Sequence, residues 1–271
     1  MSLDRLQPHY GFTRLPFTRR IAPGQLFRSA GHQEAASRIG FLVEAQQIGV
    51  ITGEVGVGKT VAARAAVAGL DSSRHTVIYL SNPAVGARGL YQAIVAALGA
   101  EPRFHKATLI PQAQELIARE RTERGKRVVV IVDEAHLLGP DQLEELRLLT
   151  NAEMDSESPF AAILLGQPTL RRRLRLGTFA ALDQRVGLRY EIPGMAAQET
   201  TAYLKHHLAL AGRDDTLFSD DATGLIHQAS RGVPRLVNNL ATQALVAAYA
   251  DKKAIVDESS ARAAITEVTA E

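Results

Sequence analysis

The stretch Gly53-Glu54-Val55-Gly56-Val57-Gly58-Lys59-Thr60 sets glycines, a lysine and a hydroxyl residue at the spacing G-x-x-x-x-G-K-[ST]. This is a chemistry for phosphate. The glycines let the backbone curl, so that N–H groups and the start of the following helix face an anion. Lys59 then reaches the β and γ oxygens of a nucleotide, and the Thr60 hydroxyl is placed to ligate Mg²⁺. Context supports the motif, because it lies between an apolar run and the alanine-rich helical segment that begins at Val61. The whole segment Gly53 to Val61 is the candidate nucleotide-binding loop.

A second group lies downstream, where Arg127-Val-Val-Val-Ile-Val-Asp133-Glu134-Ala-His136 ends a buried-strand pattern in two carboxylates. Asp133, at the carboxyl end of such a strand, is suited to hold Mg²⁺ through its water shell. Glu134 is suited to orient or deprotonate an attacking water. His136 reads as a packing or hydrogen-bonding residue. The chain has no cysteine, which excludes disulfide scaffolds, zinc fingers, iron–sulfur clusters and thiol nucleophiles. Metal chemistry here rests on oxygen ligands.

Positioning these groups requires strands that end together. Apolar runs at Ile48–Thr52, Thr76–Leu80, Val128–Val132, Ala161–Leu165 and Gly187–Ile192 predict five short strands. They alternate with helical periodicity at His32–Gln47, Val61–Leu70, Leu90–Leu98, Leu109–Arg121 and Gln142–Leu149. Alternation of this kind predicts a parallel sheet with helices on both faces. After Pro193-Gly194 the strand signal stops. Helical patterns follow at Ala196–Leu210, Asp220–Ser230, Pro234–Ala250 and Glu258–Val268, with Ser219 or Asp220 as a cap and Pro234 at a helix start. The expected organisation is a leader over 1–30, an α/β nucleotide-binding domain over 31–194 and a helical lid over 195–271.

With 271 residues and 46% hydrophobic content, the chain is long enough to bury a core and is not predominantly disordered. Its 31 basic and 29 acidic residues nearly cancel, but 25 of the basic ones are arginine, which favours planar partners such as phosphates. The N-terminus lacks the apolar stretch of a signal peptide, and the apolar runs are far shorter than the ~20 residues that span a bilayer. A cytoplasmic protein without a membrane segment is expected.

Taken in order, several motifs resemble the AAA+ ATPases, and more narrowly the ExeA/GspA-like group together with the transposition regulators of the TnsC, TniB and IstB kind. They are Tyr10-Gly-Phe-Thr-Arg-Leu-Pro16-Phe17, the phosphate loop, Val132–His136, Leu146–Asn151, Leu165–Pro168, Gln184-Arg185-Val186, Glu199–Tyr203, and Gly232-Val-Pro-Arg235 with Asn238-Asn239. The resemblance implies an ATP hydrolase that uses Mg²⁺, with an α/β core of five parallel strands and a small all-helical lid. It also implies roles. Gln167 corresponds to a sensor near the γ-phosphate, and Arg185 to an arginine finger donated in trans across a homo-oligomer interface. Arg235 corresponds to a second sensor in the lid, and Asn82 to a polar switch paired with Glu134.

Two uses of such an engine remain open. In the first, the chain assembles on double-stranded DNA without strong sequence preference and recruits a transposase. Arg103, Lys106 and Thr108 then correspond in position to a DNA-contacting loop, and Arg171, Arg172, Arg173 and Arg175 form the densest basic cluster. In the alternative, a cytoplasmic ATPase of the ExeA/GspA kind assembles a secretion or envelope complex without touching DNA. The secretion relatives continue into a membrane span and a peptidoglycan-binding module, whereas this sequence stops at Glu271, so the transposition reading is the expected one.

Overall fold

The computed structural model describes residues 5–18, 21–81, 83, 86–151 and 158–269. The chain divides into two compact units. One comprises His32–Val55 and Lys59–Ile192; the other comprises Met1–Gly31, Gly56–Gly58 and Pro193–Glu271.

The first unit is built on five parallel strands: β1 (Ile48–Thr52), β2 (His75–Leu80), β3 (Arg127–Val132), β4 (Phe160–Gly166) and β5 (Val186–Glu191). Their order across the sheet is β2-β3-β4-β1-β5. The inner strands are buried on both faces, which is why they read as unbroken apolar runs: every residue of β1 and β4 is buried, as are Val128 to Val132 of β3. Both edge strands carry partly exposed residues instead.

Parallel pairing demands crossovers, and helices supply them. α2 (Ala30–Glu44) precedes β1, and α3 (Lys59–Ala68) leaves it. α4 (Gly86–Ala97) and α5 (Lys106–Thr122) join β2 to β3, and α6 (Pro140–Leu149) joins β3 to β4. Two short helices absent from the sequence reading, α7 (Pro168–Leu174) and α8 (Ala180–Arg185), join β4 to β5. One sheet face buries Leu90, Tyr91 and Ile94 of α4, Leu109 and Ile117 of α5, and Leu143 and Leu146 of α6 against Val128, Val130 and Leu164. Because all five strands point the same way, Thr52, Leu80, Val132 and Gly166 share one edge of the sheet. Ile48, Phe160 and Val186 share the opposite edge.

The second unit is helical: α9 (Ala197–Leu210), α10 (Asp220–Ser230), α11 (Pro234–Ala250) and α12 (Glu258–Thr269). The Ser219 side chain caps α10 by accepting from the Ala222 N–H at 3.1 Å, and Pro234 opens α11. Gly232 sits at φ +69°, where a Cβ would lie 2.0 Å from the Met195 carbonyl oxygen, so only glycine fits.

The N-terminal residues differ from the expected leader, because they complete the core of this helical unit. The short helix α1 (Leu6–Tyr10) buries Leu6 and Tyr10, and the Tyr10 hydroxyl donates to the Leu245 carbonyl at 2.8 Å. Thr13 N–H donates to the Ala211 carbonyl, and Phe17 stacks on the His207 ring at 5.4 Å. The apolar residues of this aromatic, Pro-punctuated stretch follow no helical or strand period, yet Leu6, Tyr10, Phe12 and Phe17 are buried in the core of the helical unit.

Candidate functional site

The loop after β1 and the end of β3 meet at one edge of the sheet. Gly56 and Gly58 adopt φ +86° and +98°, conformations open to glycine and strained for other residues. The chain there curls round Lys59, which is buried and whose Nζ donates to the carbonyls of Gly53 at 2.9 Å and Glu54 at 3.0 Å. Lys59 and Thr60 open α3, so the loop sits at the N-terminus of a ten-residue helix. Val57 is buried, while Glu54 and Val55 are exposed.

Thr60 Oγ1 donates to Asp133 Oδ2 at 2.7 Å, so the two groups expected to hold Mg²⁺ are adjacent. A buried carboxylate beside a hydroxyl, with a lysine ammonium in the same loop, fits a Mg²⁺–phosphate pair: hard oxygen donors for the cation and a charged donor for the anion. Asp133 is buried and held on its other oxygen by the Glu134 N–H at 2.9 Å.

A residue that sequence reading missed completes this arrangement. Tyr79 of β2 donates its hydroxyl to Asp133 Oδ2 at 2.7 Å. Burial and the hydrogen bond to Asp133 push the Tyr79 phenol well above its ordinary range, so it stays a donor. The signal was the pairing of Tyr79 with Ile131, two residues before Asp133 on the same face of the sheet; it exists only once the strands are aligned.

Glu134 is half-exposed and occupies the left-handed region at φ 50°, ψ 35°. Its Oε2 lies 3.4 Å from His136 Nδ1, which is buried and makes no hydrogen bond. Gln167, half-buried, stands immediately before α7 and directly after β4, and shares the strand-end edge with Asp133 and the loop. Arg185 lies elsewhere, at the end of α8, immediately before Val186, which pairs with Ile48 at the start of β1. The run from Ile48 to Thr52, about 13 Å of strand, separates it from the phosphate loop of the same chain. Arg185 Nη1 donates to Thr150 Oγ1 at 3.2 Å.

Arg235 opens α11 in the helical unit, to which Gly56–Gly58 also belong. Within that unit its N–H donates to the Gly56 carbonyl at 3.3 Å, and a Cβ at Gly56 would lie 2.5 Å from Arg235 Cβ. Asn82 lies outside the described residues.

The residues expected on DNA are partly engaged within the chain. Lys106 is ion-paired with Glu145, whose other oxygen accepts from the Tyr91 hydroxyl at 2.6 Å. Burial pushes the Glu145 carboxyl up, but the bonds from Lys106 and Tyr91 prevail and hold it below the usual carboxylate range. Thr108 Oγ1 donates to the His105 carbonyl, and Arg103 is exposed. In the basic cluster, Arg171 lies 3.5 Å from Glu191, and Arg173 sits over the Phe179 ring and donates to the His136 carbonyl; Arg172 and Arg175 are exposed. No helix among the described residues is long and apolar enough to cross a membrane.

Comparison with known proteins places this geometry. Residues 43–174 match the AAA domain family. The fold superimposes on Cdc6p from Pyrobaculum aerophilum with a TM-score of 0.71 at 16% identity, covering 93% of this chain and 70% of that one. It superimposes on the RuvB Holliday junction branch migration motor of Thermotoga maritima with a TM-score of 0.58 at 19% identity, covering 87% and 68%. The fold is therefore that of the AAA+ P-loop ATPases, with the AAA domain match over residues 43–174.

Among curated proteins it is 34% identical over 245 residues to General secretion pathway protein A of Aeromonas hydrophila, a match covering 89% of this chain and 44% of that protein. The chain thus spans less than half the length of this relative.

Proposed function

We propose that the chain is the nucleotide-driven component of a secretion or envelope-assembly apparatus, hydrolysing ATP in an assembly of identical copies. The observation that carries this reading is the 34% identity to General secretion pathway protein A, which extends over 89% of the chain. The ordering expected from the sequence is thereby reversed, since that expectation rested on chain length and the similarity rests on residues.

In this reading Lys59 and the loop N–H groups bind the phosphates, while Thr60 and Asp133 hold the cation. Mg²⁺, when bound, neutralises charge on the β- and γ-oxygens. Glu134, half-exposed beside that edge, accepts the proton of the attacking water. Gln167 holds that water or the γ-phosphate by its amide. Arg185 of one copy supplies a cation to the nucleotide held by another, because its own phosphate loop lies at the far edge of the sheet. Arg235, at the start of α11, takes the role of the second sensor in this reading; its N–H donates to the Gly56 carbonyl within the helical unit.

Engagement of Lys106 by Glu145 weighs against a DNA-facing loop there. The test is binding of random duplex in the presence of a slowly hydrolysed ATP analogue, at several salt concentrations, with particle size measured in parallel. The expected result is nucleotide-dependent assembly with no duplex bound at low salt and no change in turnover when duplex is added. Duplex binding with a log–log salt slope of about −0.9 per neutralised phosphate would instead restore the transposition reading, with its transposase partner.

A further inference from the structure

Glu134 and His136 stand two residues apart on the turn that leaves β3. Residues at that spacing do not face each other on a regular helix, but here the left-handed backbone of Glu134 redirects the chain into the 3-10 turn Ala135–Leu137. The result is a contact: Glu134 Oε2 lies 3.4 Å from His136 Nδ1. The carboxylate is half-exposed and the imidazole only 14% exposed, so a solvated group rests against a buried one.

The placement of His136 does not depend on that contact. Its backbone N lies 3.2 Å from where a Cβ on Gly166 would stand, so the turn packs directly on the last residue of β4, the neighbour of Gln167. Its carbonyl accepts from Arg173 Nη1 of α7 at 3.4 Å. Nδ1 itself is buried and has no hydrogen-bond partner among the described residues. A buried ring nitrogen without a partner calls for one, and Glu134 Oε2 is near, yet beyond the usual N–H···O distance of about 2.9–3.0 Å. Hydrogen bonds between catalytic groups are often long before substrate binds and tighten in the complex.

We infer that His136 is a positioning residue for Glu134: its Nδ1–H donates to Oε2 once nucleotide and water occupy the site, which leaves Oε1 to face the attacking water. The inference rests on the proposed role of Glu134 as base and adds the group that aims it. A base oriented by a third group is a general arrangement in enzymes. Without the imidazole, a half-exposed glutamate distributes over several rotamers, and only some of them reach the water. His136 acts through the carboxylate and touches no reacting atom.

The experiment uses side chains that place a donor differently. Asparagine carries its amide nitrogen where histidine has Nδ1, glutamine carries it nearer to Nε2, and phenylalanine keeps a ring without a donor. His136→Phe, His136→Asn and His136→Gln are made in the full chain, and ATP affinity, melting temperature, KM and kcat are measured for each. His136→Phe should keep its ATP affinity and KM and lose about 10–100-fold in kcat. His136→Asn should regain most of that loss, and His136→Gln little of it. In single-turnover hydrolysis with enzyme in excess, His136→Phe should cost nothing further in a Glu134→Gln background, because the group it aims is already gone. NMR of protein labelled at the histidine ring nitrogens, assigned by the signal missing from His136→Asn, should find the His136 proton on Nδ1 and a shift of that signal in Glu134→Gln.

Parent-level kcat in His136→Phe would overturn the inference, as would a proton on Nε2 with Nδ1 bare. An equal loss from His136→Phe in both backgrounds would assign His136 to another group and overturn it too. If His136→Phe melts early and loses ATP affinity, the other two variants decide: asparagine above glutamine supports the inference, and equal activities mark a packing residue and end it. The reading beneath is tested separately, since parent-level turnover by Glu134→Gln removes the base itself, whereas loss in Glu134→Gln with none in His136→Phe removes the positioning role alone.

Discussion

The Tyr79 hydroxyl donates to Asp133 Oδ2 at 2.7 Å, and that same oxygen accepts from Thr60 at the same distance. One oxygen thus receives a donor from β2 and another from α3, while the Glu134 N–H fixes the other oxygen. A carboxylate held on three sides has little freedom to turn, and a metal site gains affinity from such preorganisation.

Tyr79→Phe keeps the ring and removes that donor. Outer-sphere partners of this kind are worth about tenfold or more in metal affinity, so the Mg²⁺ concentration for half-maximal hydrolysis should rise by about that factor. Nucleotide affinity without Mg²⁺ should stay as it was. A Mg²⁺ titration on both proteins decides it, and coincident midpoints would mean that Asp133 is positioned without Tyr79.

Glu134→Gln should bind ATP and fail to hydrolyse it, with turnover reduced by about 10²–10⁴-fold. Lys59→Ala should lose nucleotide affinity, because its ammonium is the one charged donor within the loop Gly53–Thr60. Fluorescent-nucleotide binding and phosphate release, measured on the same preparations, separate the two effects; wild-type turnover by Glu134→Gln would remove its assigned role.

Lys106→Ala should act on folding and leave nucleotide affinity unchanged. It strips one partner from Glu145, whose side chain is only 13% exposed, and leaves Tyr91 as its remaining donor. A loss of about 1–2 kcal/mol is expected on denaturant unfolding. An unchanged midpoint would show that the pair is solvent-screened and contributes nothing.

His207 gives the helical unit an acid limit. Burial, with His206 and Arg14 adding to it, lowers its pKa from 6.5 to about 4. The unfolded chain then binds the extra proton first, so this contribution to stability is complete above pH 6.5 and is lost as pH falls towards 4. Its size is about 3 kcal/mol over that window. Substitution His207→Leu should flatten this part of the stability profile relative to the parent; parallel profiles would refute the assignment.

Much of this was legible from residues alone, for reasons that differ by element. β1, β3 and β4 announce themselves because strands buried on both faces tolerate few polar residues. The curl of the loop and the adjacency of Thr60 to Asp133 are legible because glycines and a strand-end carboxylate stand at a fixed spacing. α7 escaped because it is seven residues long and offers a single apolar repeat, Leu170 and Leu174, around three arginines, although Pro168 at its first position was a signal. Tyr79 escaped because its role depends on the register between β2 and β3.

Glu134 holds a left-handed backbone at φ 50°, and under the proposed role of its carboxylate that strain sets folding against turnover at one position. Glycine there would relieve about 1–2 kcal/mol of backbone strain and give back about 0.5–1 kcal/mol in chain entropy, a small net gain in folding. A lineage released from the need to split ATP therefore has a downhill route open at this codon, in which the protein becomes slightly sturdier as it becomes inert. Copies that keep a glutamate at this position do so against that drift.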